Sequence, residues 1–259
     1  MAELTITFLG TGTSQGVPVI GCGCPVCSST DPRDNRTRSS IYVQTPECSW
    51  TIDTGTDFRA QCLRERITSM DAVVYTHAHT DHIMGFDDLR SFCAKGEGIP
   101  VYASEETMRS LRRVFDFAFN GHNRFPGYVV PEPFVISGPF QLGLTEVVPL
   151  PVPHGRTTVN GYLMRRGGRP LAAYLSDCKE VPQSVVESIA GTEILIIDAL
   201  RHRLHPTHLS VSEAMGVADR VKPRRTFFTH ICHELPHGET EAALPKGVRL
   251  AYDGLKIEA

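Results

Sequence analysis

The sequence predicts an α/β fold in one domain. Short apolar strands alternate with helical stretches and turn residues along all 259 residues, and this alternation is typical of sheets that are covered by helices. Hydrophobic residues make up 41% of the chain and charged residues 21%, which are the proportions of an ordinary soluble globular protein. We find no internal repeat, low-complexity tract or linker, so a single domain over residues 1–259 is expected.

The first half of the chain is predicted as strands, helices and turns from two simple patterns. Apolar runs bounded by Gly, Pro or polar residues predict strands, and helix-forming runs with a polar start predict helices. In chain order these give a strand at 4–9 closed by Gly10, a hairpin at 40–44 and 49–52 around Pro46, a helix at 58–66, a buried strand at 72–76, a helix at 85–93, a strand at 100–103 and a helix at 104–117. Ser104 is the predicted cap of the last helix.

The second half begins with a segment rich in Gly and Pro, residues 120–139, which we expect to form a loop or lid with one short strand. Regular structure then resumes under the same two patterns. The predicted elements are strands at 142–148, 161–165, 171–175 and 194–197, a helix at 210–221, a strand at 226–229 and a closing strand pair between 249 and 257.

Acidic and imidazole side chains follow six of the predicted strands. They are Asp53, His77, His154, Asp177, Asp198 and His230. Each one alone would more often be a helix cap or a satisfied turn residue. Because groups at strand ends converge on one edge of a sheet, where active sites of α/β proteins commonly lie, the six together predict a shared polar crevice.

The richest of these strand ends is the run from His77 to His82, which reads His-Ala-His-Thr-Asp-His. It places three imidazoles and one carboxylate directly after an apolar strand, and these groups are preferred protein ligands of divalent first-row metals. Side chains at odd and even positions point in different directions, so one loop can serve two adjacent ions. The alternative is a polar surface turn that happens to be rich in histidine.

A second candidate metal site uses cysteine. Cys22, Cys24 and Cys27 lie within six residues, and His233 follows Cys232 near the end of the chain. Three thiolates and one imidazole, from His233, make a closed tetrahedral site that is typical of structural zinc. Cys232 as the fourth ligand is a lesser variant, and a reduced cysteine loop without metal is the alternative to both. The other cysteines are expected to be small buried apolar residues.

Bulk properties exclude several function classes. The formal net charge of -3 provides no surface for gripping nucleic acid along its length. The first residues lack the basic and apolar stretches of a signal peptide, and apolar runs such as that at 194–197 are far too short to span a bilayer. We therefore expect a cytoplasmic protein with no membrane partner, in which the eight cysteines are reduced or bind metal.

The His-x-His-x-Asp-His run, followed by a later His, Asp and His that each end a strand, resembles the signature of the metallo-β-lactamase superfamily. The resemblance extends from Leu4 to the closing strands, and it implies a four-layer αββα sandwich with two metals in the groove between the sheets. Carried over residue by residue, it implies a first metal on three histidines, a second on a carboxylate and two histidines, and a bridging aspartate: His77, His79 and His154; Asp81, His82 and His230; and Asp177.

The two ions are expected to be zinc or manganese, although sites of this kind also accept iron and the sequence leaves the metal open. Ions about 3.5–4 Å apart can lower the pKa of a shared water and stabilise attacking and leaving oxygens. Asp53 matches the superfamily's first motif aspartate, which supports the histidine loop from behind the ligands.

Further motifs resemble the phosphodiesterase branch of this superfamily, in particular the cyclic phosphodiesterases of the carbon–phosphorus lyase pathway. These motifs are Phe-Leu-Gly-Thr-Gly at 8–12, Gly-Val-Pro at 16–18, the cysteine loop and Thr-His-x-x-His at 229–233. The resemblance implies that a metal-bridged hydroxide attacks the phosphorus of a small ester such as a ribosyl 1,2-cyclic phosphate. It also makes His208, which would donate a proton to the leaving oxygen, and Asp81 candidate catalytic residues.

Several features leave the site and its substrate open. The alternative for His208 is that it simply precedes the Ser210 cap of the next helix, and His202 and His205 are weaker candidates in the same loop. Arginines 36, 38, 201 and 203 are possible phosphate contacts, although each is also a candidate solvated surface residue. The tRNA-processing relatives carry a long basic arm, whereas residues 120–139 contain only Arg124 besides His122, so tRNA is not the expected partner.

Three functions are therefore compared. The first is a dinuclear-metal phosphodiesterase of small cyclic or diester phosphates. The second is a metallohydrolase of another ester class, such as thioesters or lactones, or a relative of the pyrroloquinoline quinone biosynthesis protein. The third is a noncatalytic metal-binding scaffold. The superfamily often pairs its subunits, so a homodimer is also possible.

Overall fold

Two β-sheets form the centre of the protein in a computed structural model, which describes residues 2–93, 97–121, 125 and 127–259. The first sheet contains seven strands: β1 (Thr5–Gly10), β2 (Ser40–Gln44), β3 (Ser49–Ile52), β4 (Ala72–Val74), β5 (Ile99–Ala103), β6 (Pro131–Val135) and β14 (Lys256–Glu258). Their order across the sheet is β14-β1-β2-β3-β4-β5-β6, and β3 to β6 run parallel.

The second sheet also contains seven strands: β7 (Phe140–Leu142), β8 (Thr145–His154), β9 (Thr157–Arg166), β10 (Arg169–Leu175), β11 (Ile194–Asp198), β12 (Arg225–Thr229) and β13 (Val248–Leu250). Their order is β13-β12-β11-β10-β9-β8-β7, with β10 to β13 parallel and β7 to β10 joined by antiparallel hairpins. Each sheet therefore has a parallel half. The carboxyl ends of those strands carry the candidate histidine and aspartate ligands, except for His154, which ends the antiparallel strand β8.

Helices cover the outer faces of the two sheets. They are α1 (Phe58–Glu65), α2 (Thr80–Ile83), α3 (Glu105–Val114), α4 (Asp116–Phe119), α5 (Gln183–Ser188), α6 (Val211–Val221) and α7 (His237–Ala243), with short 3-10 helices at Pro32–Asp34 and Phe86–Phe92. In the described ranges no helix is both long enough and apolar enough to cross a membrane.

Three apolar clusters hold these layers together. The middle cluster joins the inner faces of both sheets, where Trp50 lies with Tyr174. Successive residues of a strand point to opposite faces, so Leu175 belongs instead to the cluster beneath α5 and α6. Val73 and Leu111 belong to the cluster that packs α1 and α3 on the first sheet. The layer order is helix, sheet, sheet, helix, and the αββα sandwich that the sequence resemblance implied is confirmed.

Most predicted strands and helices are present, with changes at particular residues. The predicted strand at 142–148 is two strands, because Gly143 turns the chain with a φ of +57° between β7 and β8. The predicted helix at 85–93 is a 3-10 helix at Phe86–Phe92, and that at 104–117 divides at Phe115 into α3 and α4. The Ser104 cap is present, since its side chain accepts from the Thr107 N–H.

The two predicted closing strands are present, as β13 and β14, but the expectation that they pair with each other was wrong. β13 pairs with β12 in the second sheet, whereas β14 pairs with β1 in the first. Ala251 directly follows β13 and Leu255 directly precedes β14, and both lie in the cluster between the sheets. The chain therefore crosses from one sheet to the other between these two strands. α2, α5 and α7 were not predicted, and their short lengths explain why no clear helical period appears in the sequence.

Candidate metal centre

Asp53 holds the histidine loop in place from behind. It lies directly after β3, and its carboxylate accepts hydrogen bonds from the Thr76 N–H (2.8 Å), the Thr76 hydroxyl (2.7 Å) and His82 Nδ1 (2.7 Å). The loop approaches so closely that a Cβ at Gly55 would lie 2.2 Å from the carbonyl oxygen of Asp81. The position of Asp53 agrees with the supporting role predicted for it.

Hydrogen bonds fix the tautomers of three histidines in the cluster. Because the Thr76 hydroxyl donates to Asp53, it accepts from His77 Nδ1 at 3.0 Å. His82 Nδ1 donates to Asp53, and His154 Nδ1 donates to the Thr207 carbonyl at 2.9 Å. In each ring Nδ1 therefore carries a proton, which leaves Nε2 as the nitrogen that can bind a metal.

The candidate ligand atoms form two groups. Those of His77, His79 and His154 lie within 4.8 Å of one another, and so do those of Asp81, His82 and His230. In the first group, His77 Nε2 lies 2.9 Å from His79 Nδ1. The structure thus brings together every histidine and aspartate for which a ligand role was predicted at these two sites.

Asp177 lies between the two groups. Its Oδ1 is 3.3 Å from His82 Nε2, while its Oδ2 is 3.3 Å from His230 Nε2 and 4.0 Å from His154 Nε2. Asp177 is buried at the carboxyl end of β10. A carboxylate in this position can ligate one ion through each oxygen, as the bridging prediction requires.

The cluster has the polarity of a cation site. Among the described residues, the buried atoms His82 Nε2, His230 Nε2 and Asp177 Oδ1 have no hydrogen-bond partner, and burial without a partner is costly for such groups. Burial lowers the pKa of His77 well below its usual value, which keeps this imidazole neutral. Burial also disfavours charge on His82, but the nearby carboxylates, led by that of Asp177, raise its pKa well above the usual value. The centre therefore attracts positive charge, and divalent cations fit its residues.

His208 lies beside this centre and is held by a buried carboxylate. Its Nδ1 is 2.7 Å from Asp198 Oδ2, and the same carboxylate oxygen accepts from the Cys178 N–H at 3.1 Å. The ring of His208 stacks on His230 with a centroid distance of 4.5 Å and meets the edge of His154 at 4.7 Å. His208 also precedes the Ser210 cap of α6, but this does not explain its contacts with Asp198 and the two candidate ligands.

Asp198 was predicted as one of the strand-end residues, but its contact with His208 was not. The available signal was its place at the end of β11, the strand next to those that carry Asp177 and His230. The sequence separation of ten residues gives no reason to pair Asp198 with His208.

A pocket of about 260 Å³ opens next to His208 and His230. One wall comes from the segment after β1 and the other from the loops after β11 and β12. The lining residues are Thr13, Ser14, Gln15, Val19, Leu200, Arg201, His205, His208, His230, Cys232, His233 and Glu234. A small substrate can therefore reach the candidate ligands from this side.

The cysteine loop and His233 meet beside the same pocket. Nδ1 of His233 lies 3.3 Å from Cys22 Sγ and 3.5 Å from Cys24 and Cys27 Sγ, which is the four-ligand set predicted for a structural zinc. Cys232 is not the fourth member, because its sulfur accepts from the Glu234 N–H instead.

The thiol pKa values are consistent with a cation site at the cysteine loop. A hydrogen bond from the Cys27 N–H is the main reason that the pKa of Cys24 is lowered to about 6. Burial raises the pKa of Cys27 to about 11. Without a cation the loop thus favours one thiolate. A divalent cation would stabilise all three, and zinc fits this donor set.

The four candidate arginines differ in their surroundings. Arg36 is fully buried and donates to Thr11, the Ala251 carbonyl and His237, so its prediction as a phosphate contact was wrong. Arg38 pairs with Asp57 and Arg203 with Glu234, and neither lines the pocket. Of the four, Arg201 lines it, as does His205, whereas His202 is exposed elsewhere.

The Gly- and Pro-rich segment, residues 120–139, contains β6 as its short strand, as predicted. His122 and Arg124, on which the argument against tRNA rests, lie outside the described residues. That argument therefore stays a prediction from the sequence.

Comparison with known proteins gives one family match and two informative relatives. Residues 50–231 match the family described as the β-lactamase superfamily domain. The chain is 36% identical to an octanoyltransferase of Porphyromonas gingivalis over 96% of this chain and 50% of that protein, so it spans half of that relative's length. It is 30% identical to coenzyme PQQ synthesis protein B of Methylobacterium radiotolerans, over 75% of this chain and 72% of that protein.

Solved structures with the same fold include two with high coverage. A diphosphatase from the PhnP family is 44% identical, with a TM-score of 0.91 over 99% of this chain and 97% of that chain. The zinc-bound PqqB of Methylobacterium extorquens is 22% identical, with a TM-score of 0.81 over 98% of this chain and all of that chain. The second likeness concerns the fold alone.

Proposed function

This chain belongs to the β-lactamase superfamily as a hydrolase of the metallo-β-lactamase fold, and we propose that it is a dinuclear-metal phosphodiesterase of small cyclic or diester phosphates. A ribosyl 1,2-cyclic phosphate is one example of such a substrate. The observation that supports this proposal is the position of the His208–Asp198 pair, which lies directly beside two groups of ligand atoms that share Asp177.

In this proposal the chain holds two divalent cations, zinc or manganese. His77, His79 and His154 would hold one, and Asp81, His82 and His230 the other, with Asp177 in contact with both. When bound, such cations lower the pKa of water and stabilise the charge that develops on phosphate oxygens.

The side chains around the ions then supply positioning and proton transfer. Asp198 accepts the Nδ1–H of His208, so Nε2 is the nitrogen that exchanges a proton with the substrate. Protonated His208 donates to the departing oxygen. The carboxylate of Asp81 lies 3.3 Å from His82 Nε2. It gives the group of Asp81, His82 and His230 a negative charge and would orient the cation that this group binds.

The named relatives support phosphoryl chemistry to different degrees. The PhnP-family diphosphatase shares 44% identity over nearly the whole of both chains, and its name describes cleavage of a phosphate linkage. The octanoyltransferase is matched over half its length, so its name describes a protein with much additional chain. Similarity to coenzyme PQQ synthesis protein B favours a second candidate, a metallohydrolase of another ester class or a PQQ-biosynthesis relative.

We test the proposal with the full chain after metal removal and reloading with zinc or manganese. Hydrolysis of bis(p-nitrophenyl) phosphate and of a nucleoside 2′,3′-cyclic phosphate should return with the metal. Hydrolysis of only a thioester or a lactone would favour the second candidate. Tight metal binding without turnover of any ester would instead identify a binding scaffold.

The cysteine loop is proposed to hold a structural zinc that does not take part in the reaction. Because His233 lies three residues after His230, this zinc would connect the amino-terminal loop with the rim of the pocket. Elemental analysis of protein purified without added metal is expected to give about three ions per chain, two at the centre and one at the loop.

A further inference from the structure

Asp253 holds two segments of the first sheet together. It lies in the turn between β13 and β14, and its side chain is only 8% exposed. Its Oδ1 accepts from the Thr11 N–H at 3.0 Å and from the Thr11 hydroxyl at 2.8 Å. Its Oδ2 accepts from the Thr37 N–H at 2.8 Å and from the Thr37 hydroxyl, and Arg64 Nη1 lies 3.3 Å from the same oxygen. This carboxylate therefore fixes the residues that follow β1 and those that precede β2.

The Thr11 hydroxyl is held from a second side by Arg36. Since this hydroxyl donates to Asp253, it accepts from Arg36 Nη1, at 2.9 Å. The same nitrogen donates to the Ala251 carbonyl at 2.7 Å, and Arg36 is buried. Hydrogen bonds to charged groups are stronger than those between neutral groups, so a carboxylate and a guanidinium together keep Thr11 in one position.

Thr11 in turn holds the backbone next to a candidate metal ligand. Its carbonyl accepts from the Ile231 N–H at 2.8 Å, and Ile231 directly follows His230. On the other side of His230, the Thr229 carbonyl accepts from the Ala199 N–H at 3.0 Å. The peptide group before His230 is therefore held from β11, and the peptide group after it is held by Thr11.

The backbone of His230 requires such support. Its φ is +56°, which lies in the left-handed region that residues other than glycine rarely adopt. A conformation of this kind persists only where the surrounding structure holds it. A return to negative φ would redirect the imidazole, whose Nε2 lies 3.3 Å from Asp177 Oδ2. The hydrogen bond from Ile231 to Thr11 therefore bears directly on the position of the candidate ligand.

We propose that Asp253 and Thr11 are positioning residues for His230. They hold the peptide group that follows His230, and through it they set the geometry of the ion that His230 would bind together with Asp81 and His82. Neither of the two belongs to the groups of candidate ligands. This inference rests on the proposed function, since it concerns one of the two ions of the proposed centre.

The test measures how firmly the full chain retains its ions. Purified protein is dialysed against increasing concentrations of EDTA, and the retained ions are counted by elemental analysis. Asp253→Asn and Thr11→Val should each lose one ion at an EDTA concentration about tenfold to a hundredfold lower than the wild type, as expected when a residue behind a metal ligand is changed. The other ions should follow the wild-type curve.

Two matched variants serve as controls. Thr11→Ser keeps the hydroxyl that bonds to Asp253 and should restore the wild-type curve. Asp71→Asn removes a carboxylate that accepts from the N–H and the hydroxyl of Ser49, at 2.7 and 2.9 Å. This is the same pair of bonds, but it lies at the amino ends of β3 and β4, opposite to the ends that carry the candidate ligands. Asp71→Asn should therefore retain every ion as the wild type does.

His230→Ala identifies the ion concerned. It should lack that ion, and the addition of Thr11→Val to this variant should leave the remaining curve unchanged. Wild-type retention in both Asp253→Asn and Thr11→Val would overturn the inference, and so would an equal loss of all ions, which would show a general loosening of the fold. If Asp253→Asn does not fold, the comparison of Thr11→Val with Thr11→Ser decides.

The result is separate from that of the activity assays. If no ester is cleaved, the proposed function fails, but retention of the ions still decides the role of Asp253 and Thr11. An unchanged ion count in His230→Ala would overturn both, because His230 would then hold no ion.

Discussion

Replacing His208 with alanine is expected to slow cleavage most when the leaving group is an alkoxide. The Nδ1 of His208 is held by Asp198 at 2.7 Å, and its ring lies against His154 and His230. An alkoxide needs a proton as it departs, whereas p-nitrophenolate leaves as a stable anion. The loss should therefore depend on the substrate if His208 is the acid.

The size of the effect follows from these contacts. A positioned general acid contributes about a hundredfold to ten-thousandfold, or about 3–5 kcal/mol of barrier. His208 is only 9% exposed, so bulk water does not readily replace it as the proton donor. Asp198→Asn keeps the shape but replaces the carboxyl group that holds Nδ1 of His208 and orients the ring, and it should cost about 1.5–3 kcal/mol.

The assay measures kcat on a nucleoside 2′,3′-cyclic phosphate and on bis(p-nitrophenyl) phosphate, together with metal content by elemental analysis. His202→Ala, an exposed histidine of the same loop, is the control and should match the wild type. Equal losses of kcat on both substrates in His208→Ala would refute the general-acid role. A parallel loss of metal would show that His208 serves the centre structurally.

Three further predictions concern metal content and stability. Asp177→Asn removes the carboxylate between the two groups of ligands, so elemental analysis should show the loss of at least one ion, and full metal content would contradict the bridging role. Cys24→Ser should lose one ion and lower the melting temperature, whereas an unchanged metal content would exclude zinc at the cysteine loop. Arg166 lowers the pKa of Glu47 to about 2, so the stability from this pair is present above the unfolded pKa of about 4.5 and is lost as pH falls towards 2. Since the pair is partly exposed, Glu47→Gln should cost about 1 kcal/mol in urea unfolding at about pH 7 and much less at about pH 2.5, and an equal cost at both would contradict this assignment.

The fold was predictable where apolar runs identify a strand and its face. Val73 and Val74 lie on opposite faces of β4, one under the helices and one between the sheets, and such buried runs stand out in a sequence. The division at Gly143 was less visible, because a turn of two residues leaves the apolar pattern of β7 and β8 nearly continuous. The separation of β13 from β14 depends on contacts with distant strands, which no local pattern contains.

The candidate ligands were predictable because each one follows a strand and because the histidine loop has a dense motif. Their supporting contacts were harder to predict. Arg36 shows the reason. Its guanidinium is buried and hydrogen-bonded to Thr11 and His237, but the sequence does not distinguish it from a surface arginine. Local sequence identifies the type of a polar group, but tertiary contacts decide whether it meets the solvent, the core or a substrate.

The two sheets repeat one carboxylate–histidine contact at the candidate metal centre. Asp53 at the end of β3 and Asp198 at the end of β11 each hold a histidine Nδ1 at 2.7 Å. The carboxylate of Asp53 is also bonded to the Thr76 N–H and hydroxyl, and its histidine, His82, is fully buried with Nε2 directed at Asp81 and Asp177.

Asp198 leaves Oδ1 without a partner among the described residues, and its histidine, His208, borders the pocket. The first arrangement fixes the orientation of a candidate metal ligand. The second places an imidazole at the pocket, where the proposed function requires it to gain and lose a proton. Under that proposal, an equivalent pair on each sheet gives one histidine for the metal and one for the substrate, and the pocket beside His208 distinguishes the two roles.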